Sequence, residues 1–281
     1  MDLTLKLKLS LPFMKKINYT MLIVLTVAMA FVSSCKKDDT TDPVITCQLT
    51  KMDLTFFGTT VSSIITYNSS GQPIDMQTND DGTISGTMYT YTSAGKVATM
   101  SEYDGAAKTV TSKTEYTYGT NGVTEEKMYV DNAGTLELDA VSRFDYNGTQ
   151  MVQKNIFSIV GGNEVKTDYV EYSYAVNGDV SGTVTFTDDG LGNFEQSSRR
   201  TFTYNDKTPT RFLAGLIAED PNFPSTHYIT RDKEEDYNSI TQSWEVSSDL
   251  DYAYSFDSDN KPTKINVGQG LFVFDLFYTC K

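Results

Sequence analysis

Two residues two positions apart, nearly always aromatic, followed by a short turn sequence: this pattern recurs seven times and constrains the fold more than anything else in the chain. The clearest copy is Tyr89-Thr-Tyr91-Thr-Ser-Ala-Gly95-Lys-Val97. The others are Ile65-Thr-Tyr67 to Gly71, Tyr116-Thr-Tyr118 to Gly122, Phe144-Asp-Tyr146 to Gly148, Tyr172-Ser-Tyr174 to Gly178, Phe202-Thr-Tyr204 to Asp206 and Tyr254-Ser-Phe256 to Asn260. Their second anchors lie 24, 27, 28, 28, 30 and 52 residues apart, the last gap being about two units long. Residues two apart on a strand share a face, so each pair lays a stripe on one side of a sheet. The Thr, Ser or Asp between them faces the other way, and Thr and aromatics suit a pleated surface. The Ser-Ala-Gly, Asn-Gly and Asp-Ser-Asp-Asn tracts that follow supply φ > 0 and side-chain-to-backbone bonds that reverse the chain. Each unit therefore holds two strands and two turns, a period typical of repeat and meander architectures.

Beyond residue 47 the chain reads as one all-β domain, 47–281. At one strand and turn per ~14 residues, it predicts an antiparallel up-and-down meander of about 14–16 strands, as a curled sheet or barrel-like shell. A two-sheet sandwich is the alternative, but it needs long crossovers that the short, regular turns do not supply. One stretch breaks the pattern. Pro209 to Pro221 carries Phe212, Leu213, Leu216 and Ile217 at helical spacing, which predicts one short helix near 210–220, as a plug over one end or a mobile lid.

Fourteen aromatics occupy or extend the stripe: Tyr67, Tyr89, Tyr91, Tyr116, Tyr118, Phe144, Tyr146, Tyr172, Tyr174, Phe202, Tyr204, Tyr252, Tyr254 and Phe256. At roughly 200 Å² per ring and about 25 cal/mol/Å², each contributes at most ~5 kcal/mol gross when buried. The stripe is thus the predicted core. The competing reading is an exposed aromatic platform for sugars.

The N-terminus has a different character. Met14-Lys-Lys opens a basic region, Met21 to Val32 is apolar apart from Thr26, and Val32-Ser33-Ser34 precedes Cys35. This is a secretory signal, too short for a stable transmembrane helix. The small residues before Cys35 resemble the lipobox of bacterial lipoproteins, in which that cysteine is diacylated and becomes the new N-terminus. Residues 1–34 are then the signal peptide, with Met14 its true start, and 35–46 the lipidated cysteine and a polar tether. Lys36-Lys-Asp-Asp after Cys35 resembles the acidic export tag that places some outer-membrane lipoproteins at the cell surface rather than on the periplasmic face. Two cysteines remain, Cys47 and Cys280, one at each end of the domain. In an oxidising envelope an even pair suggests a disulfide, which requires the sheet to close or curl strongly; two buried free thiols are the alternative.

Of 23 basic and 37 acidic residues, the signal takes four lysines and one aspartate, leaving 19 and 36 and a net charge of −17. No basic patch is left to hold phosphates, which argues against nucleic acid. His227 is the only histidine and no Gly-x-Ser-x-Gly elbow or Cys-x-x-Cys pair exists, so no catalytic residue and no metal or other cofactor is predicted. His227 reads as structural. Glu234-Glu235-Asp236 and Asp188-Asp189 offer paired carboxylates of the kind a glycosidase needs. Asp188 to Asn193 and Asp257 to Asn260 have the look of calcium loops without the terminal Glu, and turn chemistry explains both.

Taken whole, the repeat resembles the YD-repeat or Rhs-type hairpin, as in Tyr67-Asn-Ser-Ser-Gly71-Gln-Pro-Ile74 and Phe256 to Ile265. With the lipobox, the chain resembles a group of bacterial surface lipoproteins of unknown function whose domain is described as porin-like. The resemblance implies a barrel-like shell and carries over no catalytic residues. Alternate positions are mostly Thr, Ser, Asp and Lys, so no outward apolar band is expected. The reading is a non-catalytic binding or structural module, anchored by its lipid and engaging a glycan or another envelope protein. Its alternatives are a carbohydrate-active hydrolase using paired carboxylates and a scaffold subunit of an outer-membrane complex.

Overall fold

The computed structural model describes residues 47–209 and 226–280. It contains sixteen strands: β1 (Cys47–Phe56), β2 (Thr59–Tyr67), β3 (Pro73–Asp80), β4 (Thr83–Tyr91), β5 (Val97–Asp104), β6 (Thr109–Tyr118), β7 (Val123–Asn132) and β8 (Thr135–Asn147), then β9 (Gln150–Val160), β10 (Asn163–Tyr174), β11 (Val180–Asp188), β12 (Phe194–Tyr204), β13 (Ile229–Asn238), β14 (Ser243–Phe256), β15 (Pro262–Val267) and β16 (Phe272–Cys280). Every strand pairs antiparallel with its sequence neighbours, and β1 pairs with β16 to close a barrel. The meander is as expected, at the upper end of the strand range, and the sheet closes. The helix expected near 210–220 falls outside the described residues, as do Cys35 and the whole of 1–46.

The two ends of the barrel are built differently. At one, four of the turns are two-residue hairpins: Phe57-Gly58, Asp81-Gly82, Ala133-Gly134 and Gly161-Gly162, all with φ between 46° and 90°. Positive φ at both central residues is the type I′ geometry, whose twist matches that of the strands. At the other, the turns 68–72, 92–96, 175–179 and 257–261 share one design. The first residue's N–H bonds the fifth's carbonyl, and the fourth's N–H bonds the first's carbonyl. The fourth residue is Gly71, Gly95, Gly178 or Asn260, each at φ of 60–90°. That left-handed position explains the glycine four residues after the second anchor. We call these the tight end and the anchor end.

All seven second anchors mark the same irregularity. The register slips by one residue at Tyr67, Tyr91, Tyr118, Tyr146, Tyr174, Tyr204 and Phe256, each a bulge at the last or, for Tyr146, the last but one residue of an even-numbered strand. Bulges bend a strand and raise its twist, which is how a sheet is turned toward closure. Beside six of the seven bulges a tyrosine hydroxyl donates to a carbonyl at the start of the preceding strand. Tyr67 reaches Leu49 at 2.6 Å, Tyr91 Pro73 at 2.5 Å, Tyr146 Val123 at 2.9 Å, and Tyr174 Met151, Tyr204 Val180 and Tyr254 Ile229 each at 2.7 Å. In the last copy, where the second anchor is Phe256, Tyr254 takes over.

All fourteen stripe aromatics are members of, or pack against, three buried clusters built on residues such as Leu49, Ile65 and Ile265, Val180 and Ile229, and Val123 and Met151. These residues lie toward the starts of odd strands and the ends of even ones, so the core fills the anchor end of the lumen. Cys47 and Cys280 face each other across the β1–β16 seam at that end, their Cα atoms 3.9 Å apart, and are joined by a disulfide.

Candidate functional site: lumen, wall and hairpin rim

Alternation along the strands carries the stripe's face upward from the aromatic core into a polar belt. Ser63 and Thr78 exchange a hydroxyl bond of 2.8 Å, and Ser112 donates to Glu102 at 2.9 Å. Two ion pairs stand directly above stripe rings. Lys154 pairs with Glu126 at 3.2 Å and lies 5.3 Å from the centre of Phe144. Arg200 pairs with the buried Asp232 and lies 5.3 Å from Phe202. Cations over ring faces are favourable, and they cap the core where it meets water.

The opposite face is an outer wall of charge pairs. Arg143 bridges Glu125 at 3.2 Å and Glu164 at 2.7 Å; Lys113 meets Glu115 at 2.7 Å, Arg199 meets Glu235 at 2.9 Å, and Lys264 meets Asp275 at 3.1 Å. Hydrogen bonds from Arg199 and Lys233 hold the Glu235 carboxyl below its usual range; the bond from Lys113 does the same for Glu115 against the pull of partial burial. A lipid-facing barrel alternates apolar residues outward in a continuous band. Here the outward positions of β1, β6–β8, β10 and β12–β16 carry ions, which interrupt any such band.

The carboxylates singled out in the sequence are not brought together as an acid–base pair. Glu234 and Glu235 are successive on β13 and face opposite sides, with Glu235 tied into the outer wall. Asp188 Oδ1 accepts the N–H groups of Gly190 and Gly192, and Asp189 Oδ1 those of Leu191 and Asn193. Asp257 Oδ1 accepts those of Asp259 and Lys261. These oxygens are spent on turn geometry, the role the repeat assigns them.

His227 has a structural partner that sequence reading did not find. Asp179, fully buried at the end of the 175–179 turn, receives His227 Nδ1 at 2.7 Å and both the N–H and the hydroxyl of Thr226 at 2.7 Å. Asn177 adds a fourth contact at 2.7 Å. Burial opposes the charge on Asp179, and these donors outweigh it and hold its carboxyl below the usual range. The cluster fastens the returning end of the long β12–β13 connection to the barrel. An Asp after Asn-Gly in a turn gave no hint of it, because its partners come from 47 and 48 residues away.

Turns with a large exposed apolar side chain lie mostly at the tight end, Val176 of the 175–179 turn being the one at the anchor end. Four of the tight end's hairpin tips carry exposed apolar side chains: Phe57 (78 % exposed), Leu191 (85 %), Ile240 (93 %) and Leu271. Phe57 also holds φ of 46°, a left-handed conformation unfavourable for a bulky residue. Its ring lies 4.2 Å from that of Phe56, which stacks on Phe272 at 4.8 Å. A strained, exposed phenylalanine where asparagine or glycine is the easy choice marks a position kept for something other than folding.

The architecture is therefore a next-neighbour antiparallel barrel of porin shape, plugged at one end by its own aromatic core and ion-paired along its wall. No family model matches the chain, and no curated protein does. Among solved structures, a porin-like protein from Bacteroides vulgatus superposes with a TM-score of 0.54 at 12 % identity, over 82 % of this chain and 98 % of that one. A porin-like protein from Bacteroides uniformis gives 0.44 at 14 % identity, over 83 % and 96 %. A protein of unknown function from Bacteroides fragilis gives 0.37 at 12 % identity, over 52 % and 94 %. The first of these shows that the two proteins share a fold; at that identity the likeness carries no chemistry.

Proposed function

We propose that this protein is an envelope lipoprotein, held to the outer membrane by diacylated Cys35 and displayed at the cell surface, whose barrel is a non-catalytic binding module. One observation carries the reading: the aromatic core occupies the anchor end, where the chain enters at Cys47, and four of the five turns with a large exposed apolar side chain stand at the other, Val176 being the exception. A tether of residues 36–46 joins the barrel at its plugged end, so the tips point away from the lipid toward whatever is bound. The occupant is a glycan or another envelope protein; the acidic chain disfavours nucleic acid. Large exposed apolar groups rimmed by polar turns are characteristic of binding surfaces.

Two measurements test this. Cys35→Ala should move the protein from the membrane to the soluble fraction and abolish labelling with radioactive palmitate; continued anchoring and labelling would refute lipidation. A glycan array and an envelope pull-down should yield a ligand that the double change Phe57→Ser and Ile240→Ser releases without unfolding the barrel. Turnover of a polysaccharide, abolished by one Asp or Glu substitution that leaves the fold intact, would replace this reading with a hydrolase.

A further inference from the structure

Adjacent hairpins at the tight end are mismatched in length at one place. β14 runs fourteen residues, Ser243–Phe256, and on its β13 side it is paired along Ser243–Asp251. On its other side β15 is only six residues long and pairs with Tyr252–Phe256 alone. The last contact is Gly268 N–H to the Asp251 carbonyl. Among the described residues Ser243–Leu250 thus has ladder partners on one side only. Staggered overhangs occur elsewhere in the barrel, but the longest others, Thr135–Asp139 on β8, Asn163–Thr167 on β10 and Leu276–Cys280 on β16, are five residues. Eight residues at about 3.3 Å each make an edge of roughly 26 Å.

An open edge presents a row of unpaired N–H and C=O groups, and proteins blunt such edges with lysine, proline, bulges or a covering element. Ser243–Leu250 contains no lysine, arginine or proline. Its one irregularity is a bulge at Ser247, where the register slips between Ser248 and Val246. Most of the stretch is exposed. Its outward face carries Trp244 and the exposed Val246, and the tip beside it is Ile240. Of the charges on the edge itself, Asp249 is already paired with Arg231 at 2.6 Å, and Glu245 accepts from Asn238 and has no salt bridge among the described residues. Arg199 stands 4.5 Å from the Trp244 ring, and Asp275 on the facing strand is paired with Lys264.

We propose that this edge is a β-augmentation site that takes an extended, lysine- or arginine-bearing segment of a partner polypeptide. The inference rests on the binding-module reading above and names its site and its ligand class. A row of backbone donors and acceptors is matched in spacing by another extended backbone and by little else. The short β15–β16 hairpin leaves the lateral space that the added strand fills. Its alternate side chains meet Trp244 and Val246 on one face, and its cations meet Glu245, the carboxylate of this edge that has no salt bridge among the described residues.

Trp244 is the chain's only tryptophan, so its emission reports on this edge. The full-length protein is titrated with an acetylated, amidated octapeptide alternating lysine and valine, and amide hydrogen exchange is followed in parallel. The expected result is a saturable shift in Trp244 emission together with slowed exchange confined to Ser243–Leu250. The fully N-methylated octapeptide and its glutamate–valine counterpart should each bind at least tenfold more weakly. Val246→Lys, at an exposed position, should weaken the lysine–valine peptide at least tenfold while leaving the melting temperature unchanged. The proposal is overturned by no response up to millimolar peptide, by equal binding of the N-methylated or acidic peptide, or by protection elsewhere in the barrel. It is equally overturned if this edge is already protected in the free protein, with protection rising alongside dimer mass as concentration rises; a second copy then occupies it. None of these failures touches the envelope pull-down or the palmitate labelling, which test the broader role separately.

Discussion

Replacing one hydroxyl at a time along the anchor end should separate what the tyrosine rings contribute from what their O–H groups do. Tyr204 donates to the carbonyl of Val180, which is fully buried, at 2.7 Å. Tyr204→Phe keeps the ring in its cluster and leaves that carbonyl one partner short. A typical intramolecular hydrogen bond is worth about 1 kcal/mol net, and an orphaned buried partner about 1–3 kcal/mol. The acceptor retains its place in the ladder, so about 1.5 kcal/mol is expected. In a barrel of this size that lowers the melting temperature by roughly 3–6 °C. The same change at Tyr67, Tyr91, Tyr146, Tyr174 and Tyr254 should cost similar amounts. Tyr91 and Tyr204 stand on β4 and β12, well separated around the barrel, so their double variant should be additive within about 0.5 kcal/mol. Two controls calibrate the series. Tyr129 donates to Glu115 on the outer wall at 3.1 Å, and Tyr129→Phe should cost at most about 0.5 kcal/mol. Tyr278 has a buried hydroxyl with no hydrogen-bond partner among the described residues, so Tyr278→Phe should be neutral or stabilising. Urea unfolding followed by far-UV circular dichroism measures all of these. If Tyr204→Phe costs no more than Tyr278→Phe, the bond to Val180 adds nothing and the hydroxyl argument is wrong.

Three further outcomes are expected. Changing Cys47 and Cys280 together to Ser releases a closed loop with a sequence separation of 233; chain entropy puts its worth near 5 kcal/mol, so calorimetry should show a fall of roughly 10 °C, and a fall under about 2 °C would contradict the assigned pairing. Burial pushes the Tyr174 phenol up to about 12 and raises Tyr67, Tyr91, Tyr103 and Tyr254 as well. Because the folded state holds these protons more tightly, their stabilisation is complete below about pH 10 and is lost as pH rises toward the folded values, so tyrosinate absorbance and loss of β-structure should appear in one cooperative alkaline transition. Ala133 occupies the first position of a type I′ turn at φ of 53°, and Ala133→Gly should therefore raise stability by about 1 kcal/mol, read as a higher urea midpoint.

Strand number, antiparallel order and the identity of the core were legible because stripe and turn repeat together. The hydroxyl series was legible too, in a subtler way. First anchors mix Ile65, Tyr89, Tyr116, Phe144, Tyr172, Phe202 and Tyr254, while six of the seven second anchors are tyrosine. Burial alone is indifferent between Phe and Tyr, or favours Phe, so a position that insists on tyrosine is asking for its O–H. Closure was another matter. Local pattern can state that β1 and β16 are strands, but whether they meet depends on accumulated twist over sixteen strands and thirteen register shifts, and on a register that no single segment encodes. The disulfide inherits that dependence, which is why the two cysteines alone left it open.

The rim and the open edge of β14 were the least legible, for a reason that follows from how the repeat works. Its rules act at the anchor end, where a bulge marks all seven copies and a tyrosine hydroxyl bond six of them. At the tight end a hairpin needs only a turn, so its length is free to vary. Nothing within Ser243 to Phe256 announces that its first eight residues lack a neighbour, because that is a property of β15, which ends at Val267 before the Gly268-Gln-Gly turn. The same freedom lets Phe57 stand where Asn-Gly would be easiest and Ile240 stand fully in water. A repeat fold thus keeps one end invariant to hold itself together and leaves the other to diverge. Where local rules are broken at a stability cost, as at Phe57, the departure is the informative signal, and it falls at the tight end, opposite Cys47.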